Sequence, residues 1–247
     1  MYNKASGPRY QNFLSALHSQ LLFDWYLEVG CRTGESFAPV RSKTVAIDPF
    51  FRANINIIGC KPSLHIFQTT SDEFFASNFL EKSSIQLSLS FLDGMHLFEY
   101  LLRDFMNAEA NSDPQAVIMM HDCAPRNLQM TTRDLTAIRG AWTGDVWKLV
   151  PILKAYRPEL KLVMLDCHPT GLLCVSNLSP GNNILRENYA QILSEFMDVD
   201  LETFGVKRFY SLFNYTSAQS EMDQQFPHFI QLALDPLLAL EPTKIST

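Results

Sequence analysis

The sequence predicts an α/β fold, a mostly parallel sheet with helices on both faces. Three observations carry this prediction. From Trp25 to Met120, short apolar runs alternate with segments of helical periodicity, the pattern of parallel strands joined by crossovers. Two later runs, 160–165 and 172–176, are joined by only six residues, Asp166-Cys167-His168-Pro169-Thr170-Gly171. That is too short for a parallel crossover, so they form an antiparallel hairpin. The composition, 47% hydrophobic and 19% charged over 247 residues, suits a core that needs neither disulfides nor a structural metal.

The elements follow in order. Tyr10, Phe13, Leu14, Leu17 and Leu21 fall at helical spacing behind Pro8, which suits a first helical turn. Strands are expected at Trp25–Val29, Thr44–Ile47, Leu64–Gln68, Ile85–Leu92 and Ala116–Met120. A helix over His96–Ala110 is marked by Leu97, Leu101 and Phe105, and another is expected just after Gly34. The polar stretch Ala124–Gly144 reads as a functional or mobile loop. Val146, Leu149, Val150 and Leu153 mark a helix with Asp145 as its N-cap. Two helices, Ile184–Met197 and Leu201–Leu212, precede a loosely packed tail with Pro227, Pro236 and Pro242. The chain divides into an N-terminal helical extension (1–22), a core domain (23–177) and a C-terminal helical extension and tail (178–247).

Charge and composition exclude several classes. A net charge of −6 with no basic stripe argues against a nucleic-acid partner. No apolar run approaches a membrane span, and the polar N-terminus lacks the apolar stretch of a signal peptide. Cys31, Cys60, Cys123, Cys167 and Cys174 are odd in number and scattered, which reads as reduced thiols in a cytoplasmic protein without a zinc site.

Four strand ends carry the chemistry. Glu28-Val29-Gly30-Cys31-Arg32-Thr33-Gly34-Glu35-Ser36 runs from an apolar strand into a turn with glycines four apart. In open α/β sheets ligands bind there, outside the carboxyl ends of the strands. An ordinary βα turn explains the glycines equally well, but Glu28 at the end of a buried strand calls for a partner. Asp48 ends the next strand 18 residues after Gly30, where an acid accepts hydrogen bonds from ribose hydroxyls. The spacing is G-x-x-x-G rather than G-x-G-x-x-G, which disfavours a nicotinamide or flavin dinucleotide.

Glu28-Val29-Gly30-Cys31-Arg32-Thr33-Gly34 resembles motif I of the class I S-adenosylmethionine-dependent methyltransferases, and Asp48 matches the ribose-binding acid of that superfamily. The resemblance implies a Rossmann-like methyltransferase fold, a mostly parallel seven-stranded sheet closed by the C-terminal antiparallel hairpin. It also implies S-adenosyl-L-methionine as cofactor, with Glu28, Gly30, Thr33, Gly34 and Ser36 around the methionine moiety, Asp48 on the ribose, and Ser71 or Asp72 near the adenine.

The third and fourth strand ends are Leu92-Asp93-Gly94-Met95-His96-Leu97-Phe98-Glu99 and His121-Asp122. Both place an Asp and a His on the same sheet edge as Gly30. Asp93, His96, His121 and Asp122 suit a divalent metal such as Mg²⁺. Alternatively a His serves as general base, or each His caps a helix or satisfies a core polar group. These segments resemble the methyltransferase branch with IDG-x-H-x-x-E and HD motifs, which includes O-methyltransferases of sugar hydroxyls in secondary metabolites. Leu92 stands in place of its isoleucine, and His121 in place of an acid. The resemblance implies Asp93, Asp122 and His121 as metal ligands, and Asp93, His96 and His121 as catalytic groups. His96 would be the base over a small-molecule hydroxyl, and Asp93 would also border the cofactor.

Gly140–Lys148, with Trp142 and Trp147, reads as either a substrate lid or a packing plug. The Phe-rich C-terminal part (Phe204, Phe209, Phe213, Phe226, Phe229) reads as a dimer surface of a homo-oligomer or a packed subdomain. Two rival functions remain: an NAD(P)-dependent oxidoreductase on the same sheet, and a non-catalytic nucleoside-binding protein.

Overall fold

The computed structural model describes residues 2–234; Pro236 and Pro242 lie outside the described residues. Helix α1 (Tyr10–Gln20) leads into strands β1 (Trp25–Val29), β2 (Lys43–Ile47) and β3 (Leu64–Phe67), then helices α2 (Ser71–Ala76) and α3 (Phe79–Lys82). Strand β4 (Leu87–Leu92), helix α4 (Phe98–Ala110) and strand β5 (Ser112–His121) follow. Helix α5 (Leu149–Tyr156) precedes the hairpin of β6 (Lys161–Leu165) and β7 (Leu172–Ser176). Short helices α6 (Ile184–Glu187), α7 (Tyr189–Phe196), α8 (Leu201–Phe204) and α9 (Val206–Tyr210), strand β8 (Tyr215–Thr216) and helix α10 (Ala218–Asp223) complete the described chain.

The sheet order is β3-β2-β1-β4-β5-β7-β6-β8. Strands β1 to β5 run parallel, β7 runs antiparallel to both neighbours, and β8 joins β6 in parallel. The predicted α/β architecture and hairpin are present, with an eighth strand in place of the expected seven. The period of two sorts the side chains. Leu27, Val29, Val45, Ile47, Leu92, Ile118 and Met120 face a core under α4 and α5, while Tyr26, Phe91, Met119 and Cys174 face α1. Buried Arg157, just past α5, is bonded at 2.7 and 2.8 Å to Glu109 of α4, tying those two helices together.

Several expectations are corrected. No helix follows Gly34; residues 32–39 are turns, because Pro39 stands five residues on and disfavours helical backbone before it. The expected helix Ile184–Met197 is split at Asn188, and Leu201–Leu212 is split at Gly205, whose φ of +95° ends α8. Asp145 does not cap its own helix; its Oδ1 accepts from Phe98 N at 2.9 Å and caps α4 instead. Strand β5 starts before Ala116, at Ser112, with a register shift that absorbs the extra residues. Residues 217–234 are no loose tail. Ser217 caps α10, and the buried rings of Phe226 and Phe229 lie 5.4 and 6.0 Å from that of Phe13. Aromatic burial outweighs what the prolines suggested. Phe204 and Phe209 pack on fully buried Trp147, so that tryptophan is a plug. All five cysteines are free. Among the described residues no helix is long and apolar enough to cross a membrane.

Candidate active site

The carboxyl ends of β1, β2, β4 and β5 meet on one edge. Gly30 and Gly34 have φ of +91° and +83°, a region costly for any side chain. Their missing side chains make room for the protein itself. A Cβ on Gly30 would lie 2.0 Å from the Asp93 carbonyl oxygen, and one on Gly34 would lie 2.5 Å from Ile57. Gly30 thus lets the β1 and β4 ends touch, a contact sealed by Asp93 N donating to Val29 O at 2.9 Å. Asp48 accepts from Arg32 N at 2.8 Å and Phe50 N at 2.6 Å, holding the glycine turn against the β2 end. Each of its oxygens retains a lone pair for a further donor.

Glu28 is fully buried on the α1 side of the sheet. Tyr26 Oη donates to it at 2.5 Å, and Ser36 Oγ also donates to it. Burial pushes its carboxyl up to about 7, against those two hydrogen bonds. Thr33 is exposed and Ser36 half-buried. Ser71 is the first residue of α2, whose N-terminus is closed by a capping box between Thr70 and Glu73. Beside Ser71 stands Asp104 of α4, a buried acid with Oδ1 unpartnered; burial pushes it up to about 7, against a hydrogen bond from Ser71. Asp72 instead pairs with Arg103 at 2.7 and 2.8 Å.

The other half of the edge is a side-chain cluster. His121 Nδ1 lies 3.3 Å from oxygens of both Asp93 and Asp122. His96 Nε2 is 3.3 Å from Asp93, and His96 Nδ1 is 3.2 Å from Asp122 and 2.9 Å from Trp142 O. Thr170, from the hairpin loop, donates to Asp122 at 2.5 Å and lies 3.3 Å from His121 Nε2. Asp122 has a φ of +61°, strained for a residue with a Cβ. Trp142 stacks over His96 at 5.1 Å between ring centres, anchored by its Nε1 donating to Thr132 O. Burial opposes charge on His96, but the hydrogen bond to Asp93 and the charges of Asp122 and Asp93 push it up to about 9. Burial likewise opposes charge on His121, which the same two acids raise. Burial would raise Asp93, yet the two imidazoles hold its carboxyl well below the usual range.

Donor atoms of Asp93, His96 and Asp122 all lie within 4.8 Å of one another, a set able to hold a cation. His96 is the third member of that set, and His121 Nδ1 adjoins both of its acids at 3.3 Å. A cleft of about 420 Å³ opens nearby, lined by Thr131, Arg133, Asp145, Lys148, Met197 and Asp200 among others. Its Arg133 and Lys148 are neutralised by Glu99 and Asp145, so it is no ready anion site. One of its lining residues touches the cluster: Asp145 N donates to His96 O at 3.2 Å.

The structure therefore gathers Glu28, Gly30, Asp48, Asp93, His96, His121 and Asp122 on one edge. Thr33 stands on the solvent side of the turn. Residue patterns missed Thr170 and Asp104. Asp104 carried a signal, an acid on the same helical stripe as Leu101 and Ala108. Thr170 carried none, because its neighbours are set by the hairpin.

No protein-family model and no curated protein sequence matches the chain. Among solved structures, it is similar to the O-methyltransferase TomG from Streptomyces achromogenes, involved in tomaymycin synthesis and solved with S-adenosylmethionine. That match has 14% identity, a TM-score of 0.48, and covers 69% of this chain and 80% of TomG. It is similar to an O-methyltransferase from Bacillus cereus in complex with S-adenosylhomocysteine, with 16% identity, a TM-score of 0.46 and coverage of 69% and 81%. A third similar structure is the MycE methyltransferase of the mycinamycin pathway, in complex with Mg, S-adenosylhomocysteine and mycinamycin VI. There the identity is 11%, the TM-score 0.45, and the coverage 70% of this chain and 49% of MycE.

Proposed function

We propose that the protein is an S-adenosylmethionine-dependent O-methyltransferase acting on a hydroxyl of a small molecule such as a sugar or secondary metabolite. The observation that carries this is the meeting of the Asp93–His96–His121–Asp122 cluster with the Glu28–Gly30–Asp48 frame on one sheet edge. The donor set fits the group. Asp48 keeps lone pairs for the ribose, Glu28 offers a carboxylate to the donor's ammonium, and an acid-rich edge favours a sulfonium. Ser71 borders the adenine end.

The donor supplies an activated methyl group. Transfer of that methyl to the acceptor oxygen would leave the donor as a neutral thioether, and His96 would take the hydroxyl proton. The chain's own part is alignment and proton removal. His96, charged in the free site, becomes a better acceptor once a second cation lies beside it, because like charge lowers its pKa. Trp142 and the Asp145–His96 contact hold the imidazole in place.

A second reading is favoured by the spacing of Asp93, His96 and Asp122. A divalent cation such as Mg²⁺ would be held by these three and would supply a Lewis-acid contact to the acceptor oxygen. His121, tied to Thr170, would then take the proton. In either case Trp142 of the 124–144 loop, stacked on His96, would border the acceptor. Five free cysteines support a cytoplasmic setting.

Calorimetric titration with S-adenosylmethionine and S-adenosylhomocysteine tests the function. Both are expected to bind, and folded protein that binds neither overturns the proposal. Binding of NAD(P) instead would favour the oxidoreductase, and binding without turnover on any hydroxylated acceptor would favour the non-catalytic rival.

A further inference from the structure

Helix α1 lies outside the segments that resemble a methyltransferase, yet its first residue reaches the site. Residues 7–10 are laced to the β6–β7 loop: Gly7 N donates to Asp166 O at 2.8 Å, His168 N to Pro8 O at 2.8 Å, and Tyr10 N to His168 O at 3.1 Å. Phe13, Leu14 and Leu17, all fully buried, press the helix onto the sheet. These constraints set Tyr10 over the carboxyl edge. Its ring centre lies 3.9 Å from that of His121 and 6.0 Å from that of Phe91.

The register explains what lies beneath it. Glu28 pairs with Phe91, and Phe91 with Met119. Residues two apart share a face, so Glu28, Phe91, Asp93 and His121 all point toward α1. Tyr10 thus lies on the face shared by the buried acid of the β1 end and the acid–imidazole cluster of the β4 and β5 ends, with its ring against His121. The charges of Asp93, Asp122, Glu28 and Glu35 all act on its hydroxyl, after burial, to raise its pKa.

We propose that Tyr10 is the aromatic wall of the methyl-transfer channel, its ring face receiving the sulfonium and methyl group of the donor and thereby distinguishing the charged donor from the neutral product. This inference rests on the proposed methyltransferase function. The donor's sulfur lies between its methionine and ribose ends. With those ends at Glu28 and Asp48, the sulfonium would fall beside the β1 and β4 ends, on the face of the sheet where Tyr10 overlies Phe91 and His121. An aromatic face attracts a cation through its quadrupole, and a thioether has no such charge. Shedding that attraction when the sulfonium becomes a thioether also favours release of the product.

The test compares Tyr10→Phe and Tyr10→Leu with the parent, measuring affinity for S-adenosylmethionine and S-adenosylhomocysteine separately by calorimetry. Tyr10→Leu is expected to weaken S-adenosylmethionine binding roughly three- to tenfold more than S-adenosylhomocysteine binding. Tyr10→Phe, which keeps the ring, is expected to preserve the parent's ratio. A role confined to packing α1 would weaken both ligands alike, and equal loss in Tyr10→Leu overturns the proposal. A shifted ratio in Tyr10→Phe overturns it too, assigning discrimination to the hydroxyl. Parent protein that binds neither ligand overturns the methyltransferase function itself, a distinct outcome.

Discussion

The two halves of the site edge are built on different principles. At the β1 and β2 ends the structure is backbone: Gly30 against the Asp93 carbonyl, Asp48 bonded to the amides of Arg32 and Phe50. At the β4 and β5 ends it is side chains: two imidazoles, each within about one hydrogen-bond length of both carboxylates. The frame holds shape and tolerates little change of volume. The cluster holds charge and tolerates isosteric change while losing chemistry. Substitutions in the frame should therefore act on folding, and substitutions in the cluster on turnover.

The largest effect that separates them is Gly30→Ala. A Cβ 2.0 Å from a carbonyl oxygen, at a φ of +91°, forces β1 and β4 apart. A loss of about 3–5 kcal/mol or outright failure to fold is expected in denaturant unfolding. A parent-like midpoint would dissolve the contrast. Next, His96→Asn should lower kcat about 10²- to 10⁴-fold, the usual worth of a general base. Its unfolding midpoint should move far less than that of Gly30→Ala; a large stability loss with retained turnover would make His96 a structural group.

Glu28 crosses the two classes, and its pH dependence shows how. Its folded pKa, about 7, is raised above the ordinary carboxylate value, so its stabilising contribution is fully present below the unfolded pKa and lost as pH rises through about 7. The ligand-free parent should lose stability over that window relative to Glu28→Gln, on the order of 3 kcal/mol, read from unfolding free energies at pH 5 and 8. Parallel pH curves for the two proteins would show that Glu28 does not titrate there. Binding of S-adenosylmethionine by the parent should strengthen over the same window, as the carboxylate forms, and Glu28→Gln should lack that rise.

Smaller effects probe His96 and its cation. With saturating donor, turnover should rise with pH as His96 loses its proton, with a midpoint below the free-site value of about 9. A flat profile up to that pH would remove His96 as the base. The smallest expected change is from metal: Mg²⁺ should lower that midpoint further, and Asp93→Asn should abolish the shift. Identical profiles with Mg²⁺ and with a chelator would leave the cation without a role.

The frame was legible in the sequence because its signals are local. Glycines four apart after an apolar strand, and an acid 18 residues later, are fixed by spacing alone. What the spacing did not reveal is that Gly30 serves a strand contact inside the protein. The cluster was half legible: each Asp and His at a strand end was visible, but their pairing depends on which strands adjoin. Asp145 shows the limit of local reasoning. Immediately before the helical run that starts at Val146 it read as that helix's cap, yet it caps α4, 47 residues away along the chain.

By itself the sequence determined the α/β class, the hairpin and the four chemical strand ends, because period, turn length and residue type are properties of short segments. Only the tertiary structure decided the eighth strand, the burial of Phe226 and Phe229 under α1, the joining of Thr170 to Asp122, and the reach of Tyr10 into the site. These rest on contacts between residues tens to more than two hundred positions apart. No local propensity encodes such contacts; they form when the sheet's two faces must each be covered and its polar edge satisfied.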